Sequence, residues 1–226
     1  MLGATPGGIL MFSSLRITVL SIAFVFALSA AWASESMSDS GRPTLLIIDI
    51  QEFYFEAGAI PLDGSLEAAD AAHKVLARFR ANGWPIIHVQ HLPKGTDTPG
   101  QDVQPDSYRI RPEVAPQSGE VVVGKHHANA FRETDLLDRL RAFEPGGLVI
   151  VGMQTHMCLE AATRAAADLG YKVTVVGEAC ATRDLSFAGH VVPAAQVQAS
   201  TLATLDGTYS RVVSLEDYLR ESQVGE

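Results

Sequence analysis

The chain predicts an α/β fold: a mostly parallel six-stranded sheet with helices on both faces. Short apolar, β-branched runs alternate with longer stretches of helical period from Thr44 onward, the pattern of strands joined by right-handed crossover helices. The first run, Thr44 to Ile48, carries no charge before Asp49, the mark of a strand buried on both faces of a parallel sheet. Hydrophobic residues make up 47% of the 226 and charged residues 19%, which supplies a core and excludes a disordered chain.

The elements follow in order. After the Thr44–Ile48 strand, Leu66 to Arg80 reads as a helix with Leu66, Ala69, His73, Leu76 and Phe79 on its inward stripe, stopped by Asn82-Gly83. Pro85 to Gln90 is the second strand and Glu120 to Val123 the third, separated by a Pro-, Gly- and Asp-rich loop over Pro93 to Gln117. A loop of that length is more often functional than economical. Glu133 to Phe143 reads as a helix turning Leu136, Leu137, Leu140 and Phe143 inward, and Leu148 to Val151 as the fourth strand. An alanine-rich helix from Cys158 to Leu169, a fifth strand at Lys172 to Val176, a helix over Pro193 to Leu205, a last strand at Arg211 to Val213 and a short helix at Leu215 to Arg220 complete the pattern.

The first thirty-odd residues are of another kind. Arg16 is their only charge, Ile17 to Ala31 is an apolar run, and Ala31-Trp32-Ala33 is a small-x-small cleavage signature. That layout predicts a secretory signal over 1–33, cleaved after Ala33, in preference to a membrane anchor, whose span would need to be longer. Met11 begins the tidier signal and is an alternative start. A polar linker over 34–43, a folded domain over 44–221 and a tail over 222–226 follow, and the expected location is secreted or periplasmic. The formal net charge of −9 argues against a nucleic-acid partner, and no membrane association is expected once the signal is removed. Two cysteines, Cys158 and Cys180, exclude a multi-cysteine metal module. In an exported protein they could form a disulfide staple.

Chemistry in open α/β sheets collects beyond the carboxyl ends of the strands. Asp49 ends the first strand, Lys125 follows the third, and Cys158 follows the fourth at the start of a helix. Taken singly, they read as a turn former, a solvated lysine and an inert thiol. Together they make a nucleophilic set. A cation and a helix start favour the thiolate, a carboxylate can take the thiol proton and return it to a leaving amine, and backbone N–H groups at the helix start can hold an oxyanion. Such acyl transfer requires neither metal nor organic cofactor in its core steps.

From about Thr44 to Tyr218 the chain resembles the isochorismatase-like cysteine hydrolases, which include nicotinamidases, N-carbamoylsarcosine amidases, ureidoacrylate amidohydrolases and biuret hydrolases. The carrying motifs are LLIIDIQ ending in Asp49-Ile50-Gln51, VVVGKHHANAF around Lys125, and GMQTHMCLEAATRAAADLGYKVTVVGEACATRD around Cys158. The resemblance implies a three-layer α/β/α, Rossmann-like fold, with Asp49 as acid/base, Lys125 as electrostatic activator and Cys158 as nucleophile. It also implies a cis peptide at Met153-Gln154, an oxyanion hole from the backbone N–H groups of Gln154 and Cys158, a small amide, ureido or imide substrate, and a homo-oligomer. Cys180 occupies a position where the family often carries a cysteine, which favours a structural thiol over a staple.

The chain departs from parts of the family pattern. The metal-binding nicotinamidases carry an Asp-x-His pair after the first strand, but Glu56 to Ser65 offers no histidine. His73 falls among apolar residues, and His88 and His91 straddle the second strand, so no metal is expected. The isochorismatases proper lack the cysteine and cleave a vinyl ether, so Cys158 favours C–N hydrolysis. Asn129 stands where many relatives have serine. The substrate contacts expected are Phe53, Tyr108, His127 and His156. Two of the three aromatics Phe53, Tyr54 and Phe55 read as core, Tyr108, Arg109 and Arg111 on the long loop read as a cap for an anionic or planar substrate or as surface residues, and His126 as a flanking residue near the substrate. The alternatives are a non-catalytic binding protein on the same fold and a metal-dependent nicotinamidase.

Overall fold

The computed structural model describes residues 41–93, 95, 99 and 105–221, all within one compact unit. The expected signal segment, residues 34–40 of the linker and the 222–226 tail lie outside the described residues.

Six strands form one sheet: β1 (Thr44–Ile48), β2 (Ile86–His91), β3 (Val121–Lys125), β4 (Leu148–Met153), β5 (Val173–Ala181) and, last in the chain, β8 (Arg211–Val213). Their spatial order is β3-β2-β1-β4-β5-β8 and every pairing is parallel. The order reverses between β1 and β4, so the topological switch point lies where those two strands end.

One face of the sheet is covered by α1 (Ser65–Asn82) and α5 (Leu215–Glu221), the other by α2 (Leu136–Phe143), α3 (Glu160–Asp168) and α4 (Ala194–Leu205). Alternation along β1 supplies both cores. Leu45 and Ile47 pack with Val75, Leu76 and Phe79 of α1, while Leu46 and Ile48 pack with Leu136, Leu140, Leu159 and Leu205. No helix among the described residues is long and apolar enough to cross a membrane.

Several elements differ from the sequence reading. The inward face of α1 is rotated: Ala68, Ala69, Ala72, Val75, Leu76 and Phe79 are buried, while Leu66 and His73 are exposed. Small alanines let the helix approach the sheet closely, and they carry little weight in a pattern search built on large side chains. The α2 helix begins at Leu136, three residues later than expected, and turns Leu136 and Leu140 inward while Phe143 is exposed.

The β5 strand continues to Ala181, beyond the expected end at Val176, through a bulge. Val175 pairs with Ile150, but the next pair is Cys180 with Gly152. Gln198 of α4 donates its amide to the Gly177 and Cys180 carbonyls at this bulge. Two short antiparallel strands, β6 (Leu185–Phe187) and β7 (His190–Val192), form a hairpin absent from the sequence reading. Gly152, at φ 132°, carries the close approach of β4 to β1: a Cβ there would lie 2.0 Å from the Ile48 carbonyl oxygen.

Candidate active site

The switch point gathers the three residues expected at strand ends. Asp49 follows β1 directly with φ at 49°, a left-handed conformation that costs a non-glycine residue about 1 kcal/mol or more and is found chiefly where it re-aims a side chain. Lys125 is the last residue of β3, within the strand rather than after it as expected, because β3 runs two residues past Val123. Its long stem crosses beneath β2 to place Nζ 2.7 Å from Asp49 Oδ2 and 3.3 Å from Cys158 Sγ. Asp49 is 0% exposed, Lys125 1% and Cys158 5%, so the charges are paired out of water. Cys158 lies in a π-helical turn, Thr155–Leu159, that leads into α3, not in the first turn of an α-helix. A wide turn of this kind is frequent at functional sites. The Met153-Gln154 peptide is cis, as expected.

The electrostatics correct one expectation. Burial and the neighbouring Asp49 carboxylate push the Cys158 thiol up to about 12, and the Lys125 ammonium offsets only part of this. The resting sulfur therefore carries its proton, with the Asp49 carboxylate as its nearest acidic neighbour. Burial alone would lower Lys125, but Asp49 and Cys158 outweigh it and hold the ammonium above its ordinary range. The site stores its proton on sulfur, beside a carboxylate able to receive it and a cation able to stabilise the thiolate left behind.

Above the sulfur opens a pocket of about 360 Å³. One bank is aromatic: Phe53 lies 5.2 Å from Tyr108, ring centre to ring centre, and 4.3 Å from Tyr54. His91 adjoins this bank, and the other carries Gln154, Met157 and Arg183. Burial pushes the Tyr54 phenol upward, against a hydrogen bond with the Gln154 side chain. Arg183 is exposed and has no carboxylate partner among the described residues. A second groove, about 590 Å³ between β5 and α4, is larger but contains neither Asp49, Lys125 nor Cys158; its lining includes Asp63, Glu178 and the Cys180 thiol but no lysine, arginine or histidine to stabilise a thiolate.

Of the expected substrate contacts, Phe53 and Tyr108 line the pocket and the two histidines do not. His127 turns its ring outward to Glu133, Nε2 to Oε2 2.8 Å, and contributes only its carbonyl, which accepts from Lys125 Nζ at 3.0 Å. His156 points its Nδ1 at the Thr182 hydroxyl, 2.5 Å away. Arg111 binds Glu52 and Glu113 over the ring of Phe55 as a framework residue, and Arg109 makes an exposed pair with Asp106 at the surface. His88 faces Arg80 and Glu120 while His91 faces Lys125, and the two do not converge on a common ligand position. Asn129 makes a local contact of its own: its Oδ1 accepts from the Phe131 N–H at 2.9 Å. Cys158 and Cys180 are both free thiols.

Gln51 and Arg183 were not identified from sequence as site residues. Gln51 is wholly buried and uses both ends of its amide. Its Oε1 accepts from the His91 N–H at 2.8 Å, and its Nε2 donates to the carbonyls of His91 at 3.0 Å and Tyr108 at 2.7 Å. Asp49-x-Gln51 is thus one device serving floor and wall, and the available sequence signal was an amide two positions from a candidate carboxylate. Arg183 follows the β5 bulge, which strand-end reasoning from Val176 could not reach.

Fold and site define a doubly wound α/β protein with a buried polar cluster at its switch point. Residues 43–205 match the isochorismatase domain, and the chain belongs to that family. It is similar to the crystal structure of a chain from Oleispira antarctica assigned to the isochorismatase hydrolases, with 43% identity and a TM-score of 0.75 over 82% of this chain and 100% of that one. It is 32% identical to the secreted isochorismatase effector Isc1 of Verticillium dahliae, over 80% of this chain and 93% of the relative. It is 30% identical to the maleamate amidohydrolase of Pseudomonas putida, over 80% and 86% respectively.

Proposed function

We propose that the chain is a cysteine amidohydrolase that cleaves the C–N bond of a small amide, with Cys158 as nucleophile, Asp49 as acid/base and Lys125 as the cation that stabilises the thiolate. The observation that carries this reading is the contact set of a buried thiol, ammonium and carboxylate at the floor of an accessible pocket. The S–H proton passes to Asp49 as sulfur attacks the amide carbon, so the thiol needs no free thiolate in the resting state. The oxyanion is received by the backbone N–H groups of Gln154 and Cys158. The proton on Asp49 then leaves with the amine, forming the acyl-enzyme, and water activated by the same carboxylate releases the acid.

Arg183 sharpens the substrate class. A guanidinium at the rim with no carboxylate partner among the described residues favours an amide that also carries a carboxylate, bound by the planar fork that suits such a group. The maleamate amidohydrolase relative supports the same choice. The test is ammonia release from maleamate, nicotinamide, ureido compounds and biuret, with wild type beside Cys158→Ala. Release from maleamate or another acidic amide that disappears in Cys158→Ala bears the reading out. Turnover that survives in Cys158→Ala refutes the nucleophile, and cleavage of a vinyl ether without amide turnover would favour the reaction named for the family.

A further inference from the structure

The Lys125 ammonium has three N–H donors and four acceptors around it: Asp49 Oδ2 at 2.7 Å, the His127 carbonyl at 3.0 Å, Cys158 Sγ at 3.3 Å and His91 Nδ1 at 3.3 Å. An ammonium only donates, so Nδ1 of His91 is the unprotonated nitrogen and Nε2 carries the hydrogen. That N–H has no partner among the described residues, and the ring lines the pocket. The backbone of His91 is clamped at both N–H and carbonyl by Gln51, which fixes where the ring stands.

We propose that His91 is a positioning residue of this site: its Nδ1 competes with the Cys158 sulfur for one proton of Lys125, and its Nε2–H offers a hydrogen bond to the substrate. The inference rests on the cysteine-hydrolase reading. In the resting site the Nδ1 contact draws Nζ away from sulfur, so the thiol keeps its proton until substrate arrives. As sulfur becomes anionic it wins the contested N–H.

Protonation of His91 would end the arrangement, because an imidazolium cannot accept and would repel Lys125. The charges that bear on the ring are Asp49 after β1, Lys125 at the end of β3, and His126 and His127 in the loop beyond it, while Tyr54, Tyr108, Cys158 and Arg183 share its pocket. Burial leads in holding the imidazole below its ordinary value, Lys125, His126 and His127 add to that, and Asp49 works against it. Activity therefore falls with acid below the ordinary histidine range.

The test uses His91→Asn, which places an oxygen acceptor near the Nδ1 position and cannot take a charge, and His91→Phe, which keeps the ring and removes both nitrogens. Hydrolysis of maleamate is followed against pH, and iodoacetamide alkylation of Cys158 serves as a readout that needs no substrate. In His91→Phe, kcat/KM falls roughly tenfold, the worth of one hydrogen bond, while alkylation sets in at lower pH because sulfur gains the freed N–H. His91→Asn restores the wild-type alkylation profile, raises KM because the Nε2–H is gone, and loses the histidine limb of the pH profile.

A His91→Phe variant with wild-type kinetics and alkylation overturns the inference, as does an unchanged acid limb in His91→Asn. Both outcomes differ from failure of the functional reading, which would show as turnover surviving in Cys158→Ala. If no amide is cleaved, the alkylation comparison decides the inference alone.

Discussion

Two buried charge clusters flank β2, and they are built to opposite ends. On one side Arg80 binds both oxygens of Glu120, at 2.7 and 2.9 Å, and His88 Nε2 lies 2.8 Å from the same carboxylate. The Gln117 N–H adds a further donor at 2.9 Å. On the other side Lys125 must share three protons among four acceptors, beside a pocket open to small molecules. Burial works against the Glu120 charge, yet Arg80, Gln117 and His88 outweigh it and hold the carboxyl near 2. Buried charge alone does not locate function; oversubscribed donors and access to solvent do.

The widest separation between the clusters is expected from Cys158→Ala and Glu120→Ala. The first lowers hydrolysis by roughly 10³-fold or more with melting temperature nearly unchanged, read by ammonia release and thermal denaturation. Glu120→Ala costs about 3 kcal/mol of stability, the low end for orphaning a buried partner because Arg80 keeps some water, and leaves kcat near wild type; a large loss of kcat with normal stability would erase the contrast.

The pH dependence sharpens it. The Glu120 carboxyl is depressed in the folded state, so its contribution is complete above its ordinary range and is lost as pH falls toward 2. In Glu120→Gln, denaturation midpoints should change less between pH 5 and 2.5 than in wild type.

Smaller again is Arg183→Ala, which should raise KM roughly tenfold for acidic amides and little for neutral ones, as befits one charge-assisted contact. Least of all, Leu66→Ser on the exposed side of α1 should shift stability by no more than about 0.5 kcal/mol; a core-sized loss would restore the inward stripe read from sequence.

The strand-end rule made Asp49, Lys125 and Cys158 legible, because a parallel sheet delivers its C-terminal ends to one rim whatever the loops do. The loops were the harder part. Tyr108 reaches the pocket because Gln51 and Gln90 both hold its carbonyl, a long-range contact that leaves no local period. His156 sits two residues from the nucleophile yet faces Thr182, since a π turn redirects side chains that an α-helical count would place in the site. The β6–β7 hairpin escaped notice because three-residue strands joined by Ala188-Gly189 carry too little pattern to register.

The buried amide of Gln51 has a practical consequence for altering what the pocket admits. It fastens the His91 and Tyr108 side to the chain that bears Asp49, so a redesign there would disturb the reactive floor together with the wall. Met157 and Arg183 stand across the opening, both exposed, and outside that tether. Selectivity can be rewritten from this bank, as a locksmith recuts the key side of a lock while leaving the bolt alone.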